Sequence, residues 1–212
     1  MPEHAVFIGV GSNIDPEDNI SRALEQLAMH VRIEAVSTFY RTAPLAKPGN
    51  PLTTADIVEQ PPSAVDSQAR AALDSQARAP VPQHDDMQQP LFLNGVVKVR
   101  TGLDALTLKL DVLRGIESVL GRVRTADAHA ARTIDLDILL YDSAIIEEPK
   151  LRIPDPDIRE RPFLAIPLLE LAPDLVLPDT GERLAALPCA RRRAELIPAD
   201  DFSGALRERL GL

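Results

Sequence analysis

The sequence has few of the residues that mark several common classes of protein. Its 212 residues include one cysteine, Cys189, and no tryptophan, and aromatic residues make up only 3% of the chain. A single cysteine excludes an internal disulfide and is compatible with a reducing compartment. Because hydrophobic residues nevertheless make up 45% of the chain, we expect a packed core of Leu, Ile, Val and Ala.

Positive charge and long apolar runs are also scarce. The formal net charge is -9, so the surface lacks the basic footprint that general nucleic-acid binding requires. No apolar run approaches the length of a membrane span, and residues 1–4 do not resemble the basic start of a signal peptide. We therefore expect a cytoplasmic protein that binds neither nucleic acid nor a membrane.

Apolar periodicity predicts alternating strands and helices. In chain order the predicted elements are strand 6–10, helix 16–30, strand 31–41, strand 91–101, helix 104–120 and strand 134–141. A small hairpin over 144–154 and a third helix over 161–171 follow. The order of the first six is typical of an α+β, ferredoxin-like unit, in which an antiparallel sheet carries both helices on one face. The other face of the sheet is then open for a functional site.

The second helix is predicted from an apolar stripe that ends before a glycine. The stripe consists of Leu106, Leu110, Leu113, Ile116, Glu117 and Leu120, and Gly121 follows it. Glycine just past the last periodic residue is a common end to a helix.

Two segments of the chain carry little apolar pattern. Residues 46–89 are rich in proline, and the hexapeptide at 66–71 is repeated at 74–79. Such a composition buries little apolar surface, so we predict an insertion at about 46–89 in a loop that is itself functional. A polar tail, with arginines at 191–193, is predicted from about residue 185.

The strand at 134–141 carries the most informative pattern. Apolar residues at 134, 136, 138 and 140 alternate with Asp135 and Asp137. Because successive side chains of a strand point to opposite faces, we expect the apolar set to enter the core and both carboxylates to share the other face. Like charges so close together repel, so the arrangement needs compensation.

A shared divalent cation is one form of compensation. Mg²⁺ prefers carboxylate oxygens and commonly keeps water and substrate phosphates as further ligands. The nearby Arg122, Arg124 and Arg132 carry guanidinium groups that suit phosphate oxygens. Acids for a metal beside arginines for phosphate are typical of phosphoryl transfer. The simpler interpretation is a half-exposed edge strand in which the arginines neutralise two solvated acids.

Five motifs occur in order along the chain. They are Gly-Ser-Asn at 11–13, Tyr-Arg-Thr-Ala-Pro-Leu at 40–45, Phe-Leu-Asn at 92–94, Gly-Arg-Val-Arg at 121–124 and Arg-Thr-Ile-Asp-Leu-Asp at 132–137. As an ordered set they resemble the motifs of the 6-hydroxymethyl-7,8-dihydropterin pyrophosphokinase family, which acts in folate biosynthesis. The resemblance extends over nearly the whole chain except the insertion and the tail, and implies one domain over 1–212.

The resemblance implies a reaction and a set of site residues. The family transfers pyrophosphate from ATP, its co-substrate, to the hydroxymethyl oxygen of the pterin and releases AMP. Two Mg²⁺ are implied at Asp135 and Asp137, with Arg122 and Arg132 stabilising the transferring group. Implied ATP contacts are Glu117, Arg124, Ile138, Lys150, Arg152 and Arg161. Implied pterin contacts are Thr42, Leu45, Phe92, Asn94 and Phe163. The expected partners are these two small molecules, and we expect a monomer.

The implied pterin contacts suit a flat heterocycle. Two phenylalanine rings can enclose its faces, and the amide of Asn94 offers both a donor and an acceptor to its polar edge. Core packing is the other interpretation of Phe92 and Phe163.

The chain also departs from the family pattern. It has His-Ala-Ala at 129–131 where the family commonly has Trp-Gly-Pro, and Asp155-Pro156 where His-Tyr is frequent. These changes favour one alternative, a non-catalytic ferredoxin-like module that binds a ligand. Another two-metal nucleotidyl or phosphoryl transferase on the same scaffold is the second alternative, and it would release pyrophosphate or ADP.

Overall fold

A computed structural model describes residues 3–43, 90–123 and 131–212. The strands are β1 (His4–Ser12), β2 (Arg32–Val36), β3 (Tyr40–Thr42), β4 (Phe92–Thr101), β5 (Asp135–Tyr141), β6 (Ile146–Glu148), β7 (Leu151–Ile153) and β8 (Ile197–Pro198). The α-helices are α1 (Pro16–Ala28), α2 (Ala105–Thr107), α3 (Arg114–Val119), α4 (Pro162–Leu171) and α5 (Asp200–Leu210). The predicted insertion at 46–89 lies outside the described residues.

The main sheet is antiparallel and has the strand order β5-β1-β4-β3-β8, with β2 also paired to β4. The strands β6 and β7 form a separate hairpin. The first and last strands of the ferredoxin-like unit, β1 and β5, are neighbours, and β4 pairs with β1 on the other side. The predicted α+β, ferredoxin-like class is therefore confirmed.

The larger core lies between one face of this sheet and the helices α1 and α3. Leu24 of α1 and Leu113 pack in one cluster with Ile8 of β1 and Leu136 of β5, and all four are fully buried. Since the helix-side core takes Leu136, the neighbouring Asp135 and Asp137 must face the opposite side of the sheet. The core thus decides which face carries the acids.

The predicted alternation of β5 is right up to Ile138 and wrong at Leu140. The register shifts by one residue, because Ile8 pairs with Ile138 while Phe7 pairs with Leu140. The extra residue, Leu139, is a bulge that turns the end of the strand over. Leu140 therefore packs in the cluster on the other face.

The second predicted helix contains a π-helical turn, Leu108–Leu113, between α2 and α3. A π turn accommodates one residue more than the α-helical period allows. The predicted stripe is therefore wrong before the turn, where Leu106 is 40% exposed and Leu108 is buried instead. After the turn the stripe is as predicted, since Leu113, Ile116, Glu117 and Leu120 are buried.

The sheet face opposite α1 and α3 is covered in part by α4 and the turns that follow it. Phe7, Val96 and Leu139 on this face pack with Ala165 and Leu168 of α4. The predicted hairpin and third helix are present, and the part of the face that they leave uncovered forms a cavity.

Beyond α4 the structure has two elements that sequence analysis does not predict. The strand β8 pairs with β3, and α5 is tied to the loop between β2 and β3, where the Phe39 N–H donates to Ser203 Oγ at 2.8 Å. Within the described ranges, no helix combines the length and apolar character needed to span a membrane.

Gly95 provides a test of the central strand. A β-carbon there would lie 2.8 Å from ring carbons of the buried Phe39. We expect Gly95→Ala to lower the free energy of unfolding by about 1–3 kcal/mol, because the ring must move within a close-packed core. The measurement is urea denaturation, with Gly102→Ala as control, since a β-carbon at Gly102 meets no atom within 4 Å. Equal stability of both variants would contradict this packing.

Candidate active site

The floor of the cavity is built from three neighbouring strands. Gly11 of β1 lies between Asp135 of β5 and Asn94 of β4, and Gly9 lies opposite Asp137. Because glycine has no side chain, the acids and the amide border open space rather than a third side chain. The cavity has a volume of about 460 Å³.

The cavity brings together eight of the sequence-predicted site residues. They are Thr42, Phe92, Asn94, Arg132, Asp135, Asp137, Arg161 and Phe163. They come from strands β3, β4 and β5, the loop before β5 and the start of α4. The predicted amide, acids and arginines thus share one space.

Asp135 is held by two arginines. Arg122 donates to one oxygen of its carboxylate, and Arg132 donates to the other. Arg122 also donates to Glu117, whose carboxylate accepts the backbone N–H of Leu136 at 3.0 Å. Because Glu117 is buried, it anchors Arg122 to β5 from behind the cavity.

Asp137 is held by a different cation, Lys109. The ammonium of Lys109 donates to the carboxylate of Asp137 and, at 2.8 Å, to the backbone carbonyl of Leu136. The Lys109 side chain is 9% exposed, whereas that of Asp137 is 49% exposed. The two acids therefore have separate compensating charges, and part of Asp137 remains open to solvent.

These surroundings move the pKa values of the two acids in opposite directions. Burial and the neighbouring Asp137 raise the pKa of Asp135, despite the two arginines. Burial also raises the pKa of Asp137, but the hydrogen bond and attraction of Lys109, with smaller contributions from Asp135 and Arg122, make the net shift downward. Asp137 is therefore the acid that stays ionised more readily.

The other end of the cavity is apolar with one amide. Asn94 Nδ2 donates to Thr42 Oγ1 at 2.8 Å, and both residues are buried. Phe92 and Phe163 both line the cavity, and Phe163 also packs beside Tyr40. An orientated amide between aromatic rings can recognise the edge of a planar heterocycle.

The part of the cavity wall that leads into α4 carries one cation, Arg161, and two further acids, Asp155 and Asp157. Arg161 Nε lies 3.7 Å from Asp157 and has no hydrogen-bond partner among the described residues. Asp155 caps a short 3₁₀ turn by accepting the N–H of Asp157 at 2.8 Å. Burial, together with the charge of Asp137, raises the pKa of Asp155 to about 6.

Several predicted residues lie away from the cavity. Glu117 and Arg122 lie behind Asp135, and Ile138 is in the helix-side core. Lys150 and Arg152 are exposed on the β6–β7 hairpin. Leu45 and Arg124 lie outside the described residues, as do residues 129 and 130 of the altered motif. The contacts predicted for all of these residues stay predictions.

Sequence analysis missed Lys109, although a signal for it exists. Position 109 is four residues before Leu113 and seven before Ile116, so it falls on the face of the helix that enters the core. A charged side chain on a core face requires a partner of opposite charge. The sequence does not identify this partner, because Lys109 and Asp137 belong to two elements that are distant in sequence.

Two comparisons with known proteins agree on one family. The model of the 7,8-dihydro-6-hydroxymethylpterin-pyrophosphokinase family matches residues 62–173. A 2-amino-4-hydroxy-6-hydroxymethyldihydropteridine pyrophosphokinase of Pseudomonas aeruginosa is 34% identical over 86% of the chain and 91% of the relative. The protein of the same name from Haemophilus influenzae is 33% identical over 82% of the chain and 85% of the relative.

A solved structure is similar in fold. The wild-type HPPK-DHPS of Plasmodium falciparum with pteroate has a TM-score of 0.55 and 14% identity. The match covers 100% of the chain but only 44% of that longer protein. At this identity the likeness concerns the fold alone.

The raised pKa of Asp155 makes a prediction about stability. An unfolded aspartate has a pKa of about 3.9, and that of folded Asp155 is about 6. The folded state therefore binds this proton more tightly, so the associated stability is present below the unfolded pKa and is lost as pH rises through about 6. We expect Asp155→Asn to be more stable than the wild type at about pH 7.5, with the difference disappearing near pH 4.

The measurement is urea denaturation of the nucleotide-free chain across this pH range in the presence of a chelator. Asp174→Asn is the matched control, since its side chain is 94% exposed. If the wild type and Asp155→Asn showed the same dependence on pH, the proton would not be held at Asp155.

Proposed function

We propose that this chain, which belongs to the 7,8-dihydro-6-hydroxymethylpterin-pyrophosphokinase family, transfers pyrophosphate from ATP to 6-hydroxymethyl-7,8-dihydropterin in folate biosynthesis. The observation that carries the proposal is the shared floor of the cavity. On that floor the acidic pair of β5 is separated from the amide of Asn94 on β4 by one strand, β1. Arg122 and Arg132 pair with Asp135 of the acidic pair. A phosphate-binding end and a heterocycle-binding end therefore open into the same space.

The reaction requires the two substrates to be aligned. The hydroxymethyl oxygen of the pterin attacks the β-phosphorus of ATP and loses its proton. The bond between the β-phosphorus and the oxygen that bridges it to the α-phosphorus breaks, and AMP leaves with that oxygen. For such a transfer the protein chiefly supplies position and compensation of charge.

The acidic pair fits Mg²⁺ chemically. Both ligands offer carboxylate oxygens, and both line the cavity. In the part of the chain that the structure describes, no group of three or more His, Cys, Asp or Glu side chains is arranged to hold a metal. A site with two carboxylates is consistent with Mg²⁺, because water and substrate phosphates complete its coordination. We propose that Asp135 and Asp137 hold two Mg²⁺, which when bound neutralise phosphate charge.

One arginine is proposed to exchange partners when ATP binds. Arg122 and Arg132 are both engaged with Asp135, and their planar forks suit phosphate oxygens. We propose that Arg132, which lines the cavity, turns from the carboxylate to the transferring group, and that Arg122, held behind Asp135 by the buried Glu117, stabilises that group by its charge from there. Arg161 is the ATP contact that geometry supports best, since its Nε lacks a hydrogen-bond partner among the described residues and the side chain lines the cavity.

The pterin is proposed to bind at the opposite end. Because Asn94 Nδ2 donates to Thr42, the orientation of the amide is set before the substrate arrives. Phe92 and Phe163 would enclose the ring, and burial of an aromatic surface favours binding. Little reorientation of the Asn94 side chain is then required when the pterin binds, which lowers the entropic cost of binding.

Analysis of the nucleotide product tests the function. We expect the chain to form AMP from ATP only when both Mg²⁺ and the pterin are present. Asp135→Ala and Asp137→Ala should each lower the rate at least roughly 100-fold, because each removes a proposed ligand of the Mg²⁺ that stabilises the transferring group. Asp18→Ala on the surface of α1 is the control, and its rate should equal that of the wild type.

Each other outcome has a distinct meaning. ADP or pyrophosphate as the product, independent of the pterin, would indicate another two-metal transferase. Tight binding of ATP without any product would indicate a non-catalytic module. An intact rate in either aspartate variant would contradict the role of the acidic pair.

Gly11 offers a test of the pterin end. A β-carbon at Gly11 would lie 2.5 Å from Asn94 Oδ1, so Gly11→Ala must displace the amide. We expect the KM for the pterin to rise roughly tenfold, the equivalent of one hydrogen bond of about 1.4 kcal/mol. The KM for ATP should change little. The measurement is steady-state kinetics at saturating Mg²⁺, in which each substrate is varied in turn while the other is saturating.

A double mutant separates this effect from general damage to the fold. If Gly11→Ala acts through the amide, it should have little further effect in an Asn94→Ala background. Independent effects of the two substitutions would show that Gly11 does not act by positioning Asn94.

A further inference from the structure

Lys109 is a buried cation that touches the acidic pair from the core side. Its ammonium lies at the π-helical turn and is fixed by two contacts to adjacent residues of β5, the carbonyl of Leu136 and Oδ1 of Asp137. The carbonyl contact has a length of 2.8 Å. Because that carbonyl belongs to the central sheet, the ammonium is anchored at the floor of the cavity.

The helix that carries Lys109 contains the π-helical turn. Leu108 and Lys109 on the first residues of the turn and Val112 and Leu113 on its last are all buried. Because residues four apart lie on one face of a helix, Lys109 shares with Leu113 the face that packs on the core. Lys109 therefore reaches β5 from the same face that makes the apolar contacts of the helix.

Lys109 cannot move away from its carboxylate as Arg132 can. Arg132 lies before β5, with its side chain 27% exposed, and can turn from Asp135 toward a phosphate. Lys109 has no such route, since its side chain is 9% exposed. Any cation that binds Asp137 must therefore bind beside an ammonium that stays in place.

We propose, resting on the function proposed above, that Lys109 is a positioning residue that serves Asp137 as a tethered counter-ion. It holds one carboxylate oxygen of Asp137, leaving the second oxygen to ligate a metal. Its charge also repels a divalent ion, so that the protein alone binds Mg²⁺ weakly. The phosphates of the nucleotide offset this repulsion, and Mg²⁺ therefore binds together with ATP rather than before it.

Binding of Mn²⁺ to the nucleotide-free chain tests this role. Mn²⁺ replaces Mg²⁺ at oxygen sites, and its free concentration can be followed by electron paramagnetic resonance. We expect Lys109→Met to bind Mn²⁺ roughly tenfold more tightly than the wild type, since one unit charge a few ångströms from a divalent ion has this effect even in water. A merely structural role for Lys109 would leave the affinity unchanged or weaken it.

Three further variants control the result. Lys109→Gln keeps a donor for the Leu136 carbonyl but removes the charge, and should also bind Mn²⁺ more tightly. Lys109→Arg keeps the charge and should match the wild type. Lys98→Met is the matched control, because Lys98 pairs with Glu34 at 3.3 Å outside the cavity lining. If Lys109→Met folds poorly, the difference in Mn²⁺ affinity between Lys109→Gln and Lys109→Arg still tests the effect of the charge.

The outcome is separable from that of the proposed function. Equal or weaker Mn²⁺ binding by both uncharged variants would overturn the counter-ion role, even if the wild type forms AMP. Tighter binding by both variants would support the role, even if the wild type forms no AMP, and only the proposed reaction would then fail.

Discussion

The charge balance around two carboxylates is the constraint on which the rest of the site depends. Asp135 and Asp137 lie two residues apart on one face of β5, so the strand itself holds the two carboxylates close together. Two arginines engage Asp135 and one lysine engages Asp137. Without these cations, two partly buried negative charges would repel each other and oppose folding. The attraction of Lys109 also lowers the pKa of Asp137, so this acid stays ionised and available to a metal.

Two local irregularities adapt a regular fold to this requirement. The bulge at Leu139 reverses the faces at the end of β5, beyond both acids, and Lys109, which contacts Asp137, lies in the π-helical turn. Bulges and π turns are common next to functional sites, because one extra residue can redirect a side chain without breaking the element. The glycines of β1 complete the adaptation by leaving space above the sheet.

The third of the chain beyond β5 contains features that set this member of the family apart. Helix α4 closes one wall of the cavity, and the residue before its preceding 3₁₀ turn is Asp155, whose carboxylate caps that turn. An acid there faces the cavity where a histidine is frequent in the family, so this wall contributes negative charge to the site. The elements β8 and α5 lie beyond the residues that the family model matches. The strand β8 extends the sheet, α5 packs in the helix-side core through Leu206, and neither lines the cavity.

By itself the sequence determined the α+β class, the common face of Asp135 and Asp137 and the family, because these follow from local periodicity and from the order of short motifs. It also indicated most of the residues that meet in the cavity. Only the tertiary structure decided that Leu140 changes face, that Leu106 leaves the core and that Lys109 is paired with Asp137. The reason is physical: the first two depend on one extra residue in a strand or helix, the third depends on a contact between elements distant in sequence, and all three are selected by packing and charge in the folded chain.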